Sequence, residues 1–369
     1  MRQPVTDQGI AARAGAAAIG FIVVVLVFGM GVFDDSPNHA SGKSNSSKAR
    51  KQNESKKLQM DLFAAATAKV GEIEDSNNGK LAFAIAVSDT DEPITGGTDK
   101  DSRAAMLNLA NPVAAVAAVK AGETPSQNLR SAISDAITKT SACGERRVTV
   151  GLQKLTNPDL TNSTAARNAF EQVLSRAGVT PDSSTPATGK LASGTNSSKP
   201  DGCWQYLRNY SVDGQKETTD IALFGERKWS VSDAAKFQSA LATGALGESG
   251  RKVYSDMVLP KQRDELDPNP SIPPGWGAGK ALSEWPTAYQ SAWGSSQRDS
   301  SSFQVTQMAS FQLGPLNNKK WVTVAVRFTP AEGGSAINGK LNKSPTSVVA
   351  IQSLFEAIAA KARAVSGAN

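Results

Sequence analysis

Histidine is almost missing from this chain, because its 369 residues include only His39. A Ser-His-Asp or Cys-His catalytic arrangement needs an imidazole inside a folded domain, and His39 lies in a polar segment near the N-terminus. The commonest ligand of catalytic metals is lacking for the same reason. The sequence also contains no G-x-x-x-x-G-K-[ST] phosphate loop. We therefore expect neither a metal nor another cofactor.

A strong charge of one sign is missing from most of the chain. Residues 1–57 hold 8 basic and 4 acidic residues of the total of 40 and 34, which leaves 32 and 30 for the rest. A nucleic-acid-binding domain needs a basic face, so we expect no nucleic-acid partner. The cations near the N-terminus either belong to a solvated spacer or contact anionic lipid headgroups or wall polymers.

One long hydrophobic run stands out, from Ala14 to Phe33 (AGAAAIGFIVVVLVFGMGVF). A helix of this length spans about 30 Å, the thickness of a bilayer's hydrocarbon core. The run is longer than the core of a secretion signal, and it ends at Asp34 and Asp35 without a good cleavage site. The sequence predicts an uncleaved single-pass anchor in the plasma membrane, with residues 1–13 as a cytoplasmic tail and the remainder extracytoplasmic.

Cysteine is scarce too, with only Cys143 and Cys203 and no C-x-x-C motif. Two cysteines in a chain with a membrane anchor favour one disulfide in an oxidising compartment. Closing a loop of about 60 residues would stabilise the fold by roughly 4 kcal/mol on the chain-entropy model. The alternative is a pair of unrelated buried thiols.

Two regions follow the anchor. Residues 34–57 are rich in Ser, Asn and Lys, which predicts a disordered linker. Residues 58–369 are long enough for one large domain. Its order of elements is α+β. The pattern predicts helices over Leu58–Glu74, Met106–Val119, Asn128–Thr140, Ser163–Ala177, Ser230–Leu241 and Val348–Ala364, a strand over Leu81–Val87, and a hairpin of Phe303–Leu313 with Trp321–Phe328.

Four stretches in this order resemble a known group of proteins: the Pro112 helix after a strand and a turn, the Asn128 helix, Phe224–Ser230 (FGERKWS), and Trp276–Gly279 to Trp293-Gly294 with the hairpin. The order is similar to that of the serine β-lactamase and penicillin-binding (DD-peptidase) superfamily, and most of all to wall-associated β-lactamase-like proteins of actinobacteria. The resemblance covers roughly residues 60–365 and implies an antiparallel sheet flanked by helices, plus an all-helical region.

The resemblance also implies where catalytic groups would lie. Active members carry a Ser-x-x-Lys element at the start of the buried helix, a Ser-x-Asn element and a Lys-Thr/Ser-Gly element on a strand. Anchored on Pro112, these positions are vacated: Leu107 and Ala110 replace the first pair, Thr140, Ser141 and Ala142 stand at the second element, and Gln290, Ser291 and Ala292 at the third. Leucine cannot attack a carbonyl and alanine cannot accept a proton, so the domain is expected to be catalytically silent.

Four aromatic residues lie close together in the sequence: Trp276, Trp285, Tyr289 and Trp293. They are predicted either to line a groove that grips a sugar or peptide, or to pack in the core. The leading hypothesis is a pseudoenzyme that binds an envelope protein or peptidoglycan. The alternatives are an envelope serine hydrolase or peptidase using Ser249 and Lys252, the only Ser-x-x-Lys match, and a structural domain of another fold.

Overall fold

The computed structural model describes residues 42–122, 126–139, 142–158, 162–182, 187–190, 220–262, 273–296, 299–314, 319–331 and 345–367. Nearly all of them belong to one compact unit, residues 46–369. The predicted anchor, Thr140, Ser141 and Cys203 lie outside the described residues, so the anchor and the disulfide stay predictions. Within the described ranges no helix has the length and apolarity needed to cross a bilayer.

The first helix, α1 (Gly42–Asn77), begins far earlier than predicted and corrects the assignment of residues 34–57 as a disordered linker, because residues 42–57 are helical. Lys, Arg, Gln and Glu dominate this part and have high helix propensity. Tertiary contacts add to it. Ser55 and Gln59 are buried, and Gln59 Nε2 donates hydrogen bonds to the carbonyl oxygens of Ile85 (2.8 Å) and Glu92 (2.9 Å).

The remaining elements confirm the α+β class. The strands are β1 (Gly79–Val87), β2 (Ile94–Gly96), β3 (Ala104–Ala105), β4 (Ala187–Lys190), β5 (Asp220–Leu223), β6 (Lys228–Trp229), β7 (Ala288–Ser296), β8 (Asp299–Leu313) and β9 (Lys320–Pro330). The helices are α2 (Ala110–Ala121), α3 (Gln127–Thr138), α4 (Ala142–Thr156), α5 (Thr164–Arg176), α6 (Val231–Ala242), α7 (Gly247–Val258), α8 (Ala278–Ala281) and α9 (Pro345–Ser366). Short 3₁₀ turns cover Leu107–Leu109 and Phe224–Glu226.

The main sheet has five antiparallel strands in the order β2-β1-β9-β8-β7. β1 pairs with β9 along its whole length, from Gly79 opposite Pro330 to Val87 opposite Val322. The predicted hairpin is confirmed as β8 and β9, and both strands run past their predicted ends. β7 lies at one edge of the sheet and pairs with β8.

Each face of this sheet is covered by its own hydrophobic cluster. Helices α1 and α9 pack on one face, where Leu62, Phe328 and Leu354 belong to the same buried cluster. The other face meets the helical region, in which residues of α2 to α7 pack around the alternate side chains of the strands, such as Ala292. A sheet covered on both faces explains why β1 (GKLAFAIAV) reads as a continuous apolar run.

Candidate functional site

The turn before α2 is the part of the fold where the resemblance places its first catalytic element. Leu107 has a φ of +49°, in the left-handed region that a leucine rarely adopts. Such a conformation costs on the order of 1 kcal/mol and persists only where neighbours hold it. The amide of Met106 donates to the carbonyl of Arg227 at 2.8 Å, and β3 pairs with β6, so the chain entering the turn is fixed on both sides.

The two predicted positions in this turn are apolar and lie against the core. Leu107 is half-buried and packs on the helical cluster, while Ala110 is fully buried within it. The turn lies beside β7: a Cβ added to Gly294 would come within 3.9 Å of Leu107 Cδ1. The structure thus brings residue 107 next to the strand that carries residues 290–292, as the predicted arrangement required.

The polar groups of this turn are two amides, one residue later than the predicted positions. Asn108 is half-buried and Asn111 is buried, and they have the same three-residue spacing as Ser-x-x-Lys. Asn111 Nδ2 donates to the carbonyl of Ala136 at 3.2 Å, and its Oδ1 has no partner among the described residues. A carboxamide is neither a nucleophile nor a base at neutral pH. Sequence reasoning anchored on Pro112 missed this pair, although two amides at that spacing were a visible signal.

The third predicted element lies on β7. Gln290 and Ala292 are buried on the face that meets the helical cluster, whereas Ser291 points to the other face and its Oγ accepts a hydrogen bond from Gln307 Nε2 at 2.8 Å. Both polar atoms of the Gln290 amide lack a partner among the described residues. None of the three residues carries an ammonium group. Gln290 is fully buried, so its amide is not accessible from solvent.

The second predicted element follows α3. Thr140 and Ser141 are outside the described residues, and Ala142 is the first residue of α4. The structure does describe the last turn of α3, whose carbonyls are bonded from outside the helix. Lys261 Nζ donates to Ile137 O at 2.9 Å, and the Gln262 amide donates to Thr138 O at 2.9 Å. A cation at this end also complements the helix dipole.

Lys261 is a titratable residue near the site that sequence reasoning did not single out, because it sits in a polar stretch. Its Nζ lies 4.9 Å from the centre of the Tyr289 ring. Burial lowers the pKa of Lys261 to about 7, and the nearby carboxylate of Asp256 only partly opposes this effect. Burial likewise raises the pKa of Tyr289 to about 12. Around neutral pH, Lys261 therefore exists as a mixture of amine and ammonium.

Of the two alternatives for the aromatic residues, a groove lining or core packing, the structure places them against the core. Trp276 and Tyr289 are buried in the cluster beneath α1 and α9, and Trp285 and Trp293 pack against that same cluster. The rings of Trp285 and Phe311 are 5.2 Å apart. The physical reason is alternation along β7: residues 289 and 293 face away from the helical region, so their rings fill the core on the opposite side of the sheet.

The pair proposed for a relocated catalytic site lies on the surface of α7. The side chain of Lys252 is 58% exposed, and its Nζ pairs with Glu248 Oε1 at 3.1 Å. A solvated, ion-paired lysine lacks the burial that turns lysine into a base. Lys252 therefore does not act as a base that would activate Ser249.

Comparisons with known proteins agree on fold rather than on sequence. No protein-family model matches the chain, and no curated protein sequence does. Among solved structures the chain is similar to a β-lactamase from Desulfarculus baarsii (12% identity, TM-score 0.46, covering 80% of this chain and 97% of that one). It is also similar to β-lactamases from Streptosporangium roseum (10%, 0.45, 82% and 98%) and Xanthomonas campestris (11%, 0.45, 82% and 98%). These proteins belong to the superfamily that the sequence resembles, and nothing about activity follows from likeness at this level.

Proposed function

We propose that this chain is a membrane-anchored extracytoplasmic pseudoenzyme, with a β-lactamase-like fold that serves binding rather than acyl transfer. The observation that carries the proposal is the turn before α2. It places the half-buried amide of Asn108 and the buried amide of Asn111 at the spacing where an acylating enzyme of the resembled superfamily has a hydroxyl and an amine. The amide of Asn108 can donate and accept hydrogen bonds without forming an acyl intermediate, which suits recognition.

The proposed partner is an envelope protein or peptidoglycan. Both offer amide and carbonyl groups that the half-buried amide of Asn108 can bond. The run from Ala14 to Phe33 supports the membrane location, because it would hold such a domain close to the cell wall.

Covalent labelling with a fluorescent penicillin tests the loss of acyl transfer. We expect the purified full-length chain to take up no label, because Leu107 and Ala110 supply neither a nucleophile nor a base at the head of the buried helix. Labelling of the folded chain that disappears in Ser249→Ala would instead establish the hydrolase alternative. The same chain denatured before labelling controls for non-specific uptake.

A pair of double variants tests which residues occupy the vacated positions. Leu107→Ser with Ala110→Lys places an ammonium at a fully buried position without a partner, so we expect a loss of several kcal/mol in the free energy of unfolding. Asn108→Ser with Asn111→Lys also buries an ammonium group, but the carbonyl of Ala136, which already accepts a hydrogen bond from Asn111, can accept one from the lysine, so the loss should be smaller. Urea denaturation measures both. If the second pair lost more stability, or if the first pair gained penicillin labelling, the alignment that places Leu107 and Ala110 at the Ser-x-x-Lys positions would be supported instead.

Binding and location need separate experiments. The purified chain in detergent should pellet with isolated peptidoglycan sacculi, and Asn108→Ala should weaken that binding. Failure to pellet would exclude peptidoglycan and leave an envelope protein. Protease added to intact cells should degrade the domain if it is extracytoplasmic, whereas protection until lysis would contradict the proposed orientation.

A further inference from the structure

A small cavity lies under the start of α2, between the helical face of the sheet and the N-terminus of α6. Its volume of about 10 Å³ accommodates the centre of one water molecule. Arg327, Gln304, Thr306 and Ser230 supply polar lining, and Ala325 and Leu109 belong to its apolar walls. A cavity with this mixture is suited to a hydrogen-bonded occupant rather than to an empty space.

Two of these lining side chains have one unsatisfied atom each. Gln304 is 3% exposed and its Oε1 has no hydrogen-bond partner among the described residues. Arg327 is 2% exposed, and its Nε–H likewise has no hydrogen-bond partner among the described residues. One atom is an acceptor and the other a donor. Leaving either buried and unpaired costs about 1–3 kcal/mol.

The rest of each side chain is held, so neither can turn away. Gln304 Nε2 donates to the carbonyl of Ala105 at 2.7 Å, which fixes the orientation of the amide. The other end of the Arg327 guanidinium donates to Asp99 Oδ2 at 3.1 Å and to the Ser102 carbonyl at 3.2 Å. Arg327 stands opposite Thr306 in the sheet, two residues from Gln304 on the same face of β8.

We propose that this cavity binds a single water molecule that bridges Gln304 and Arg327. The water donates one proton to Gln304 Oε1 and accepts the hydrogen bond of Arg327 Nε–H. Its second proton faces the hydroxyl of Thr306, which has a lone pair to accept it. An anion is not required for charge balance, because Asp99 already pairs with the guanidinium.

The position of this water gives it a role in the turn before α2. Gln304 holds the carbonyl of Ala105, two residues before Leu107, and Leu109 forms part of the cavity wall. By fixing Gln304, which bonds Ala105, the water stabilises the left-handed backbone conformation of Leu107. This inference does not depend on the proposed function, since it concerns the packing beneath the turn and not what the turn binds.

A crystal structure of the full-length chain at a resolution that shows ordered water tests the proposal. We expect one density peak within about 2.7–3.2 Å of both Gln304 Oε1 and Arg327 Nε. An empty cavity, a direct hydrogen bond between the two side chains, or a peak that refines as chloride would overturn it.

A matched pair of variants adds a second readout. Gln304→Met keeps the length of the side chain and removes the acceptor, so the peak should vanish. Gln238→Met changes another buried glutamine that faces the same sheet outside the cavity lining, and the peak should remain there. Persistence of the peak in Gln304→Met would contradict the bridge. If Gln304→Met does not fold, the presence or absence of the water peak in the unaltered chain decides whether the proposal holds.

Discussion

At the scale of single residues, Arg227 in the FGERKWS stretch is a fully buried charge. Its side chain is fully buried, and its Nε and a terminal nitrogen bond Glu171 at 2.6 and 3.0 Å. A third hydrogen bond reaches the carbonyl of Thr180 at 3.3 Å. This forked geometry ties α5 to the chain entering α6. The arginine in a stretch that carries the resemblance thus has a structural role.

Removal of Glu171, the partner of Arg227, tests this structural role. In Glu171→Ala the guanidinium of Arg227 stays buried without its carboxylate, so we expect the free energy of unfolding to fall by about 2–3 kcal/mol. The control is Glu248→Ala, which breaks the exposed pair with Lys252 and should cost less than about 1 kcal/mol. Urea denaturation of both variants checks the difference, and equal shifts would show that burial of Arg227 does not matter.

At the scale of elements, the end of α3 shows how neighbours complete a helix. Its last carbonyls are bonded by Asn111 from α2, by Lys261 and by the amide of Gln262, both from the segment after α7. Orphan carbonyls at a buried helix end are costly unless they are paired. Three elements thereby meet at one point, next to where the resemblance places its second catalytic element.

The lowered pKa of Lys261 predicts a pH dependence of stability. Its pKa is about 7 in the folded chain against the ordinary 10.5, so the unfolded chain binds more protons between these values. Stability should therefore rise as the pH increases from about 7 to about 10.5, with a slope of at most about 1.4 kcal/mol per pH unit. Denaturation midpoints measured across this range check it. Lys261→Met should flatten the rise, and an unchanged slope in that variant would assign it to other groups.

At the scale of the whole molecule, α1 joins the N-terminal region to the sheet. Its buried Gln59 bonds the end of β1 and the following turn, and Lys56 Nζ lies 3.5 Å from Asp91 Oδ2. The helix therefore continues as a docked element through residues that were predicted to be a flexible linker.

Limited trypsin digestion tests the docking of α1. Losing two buried hydrogen bonds in Gln59→Ala should loosen the helix and speed cleavage after Lys56 and Lys57 by about tenfold, because proteolysis follows the population of the open form. Gln52→Ala, which removes only an exposed contact to Asp91, should leave the rate unchanged. Equal cleavage rates in the two variants would mean that Gln59 does not secure the helix.

Part of the fold was predictable because local signals and tertiary packing agree. The helix predicted over Ser230–Leu241 is confirmed as α6, and Ser230 forms a full capping box with Asp233 at its start. α4 was missed because its glycines argue against a helix. Gly144 is needed there, because a Cβ at this position would lie 2.5 Å from the backbone of Ala136. Close packing of α3 and α4 overrides helix propensity.

The sequence by itself determined the α+β order, the apolar β1, the hairpin and the lack of a serine–lysine pair at the head of the buried helix, because these depend on residue type and periodicity. Only the tertiary structure decided that Asn108 is half-buried and Asn111 buried in the turn, that the tryptophans pack against the core, and that burial lowers the pKa of Lys261. Each of these depends on which distant side chains surround a residue, and periodicity carries no such information.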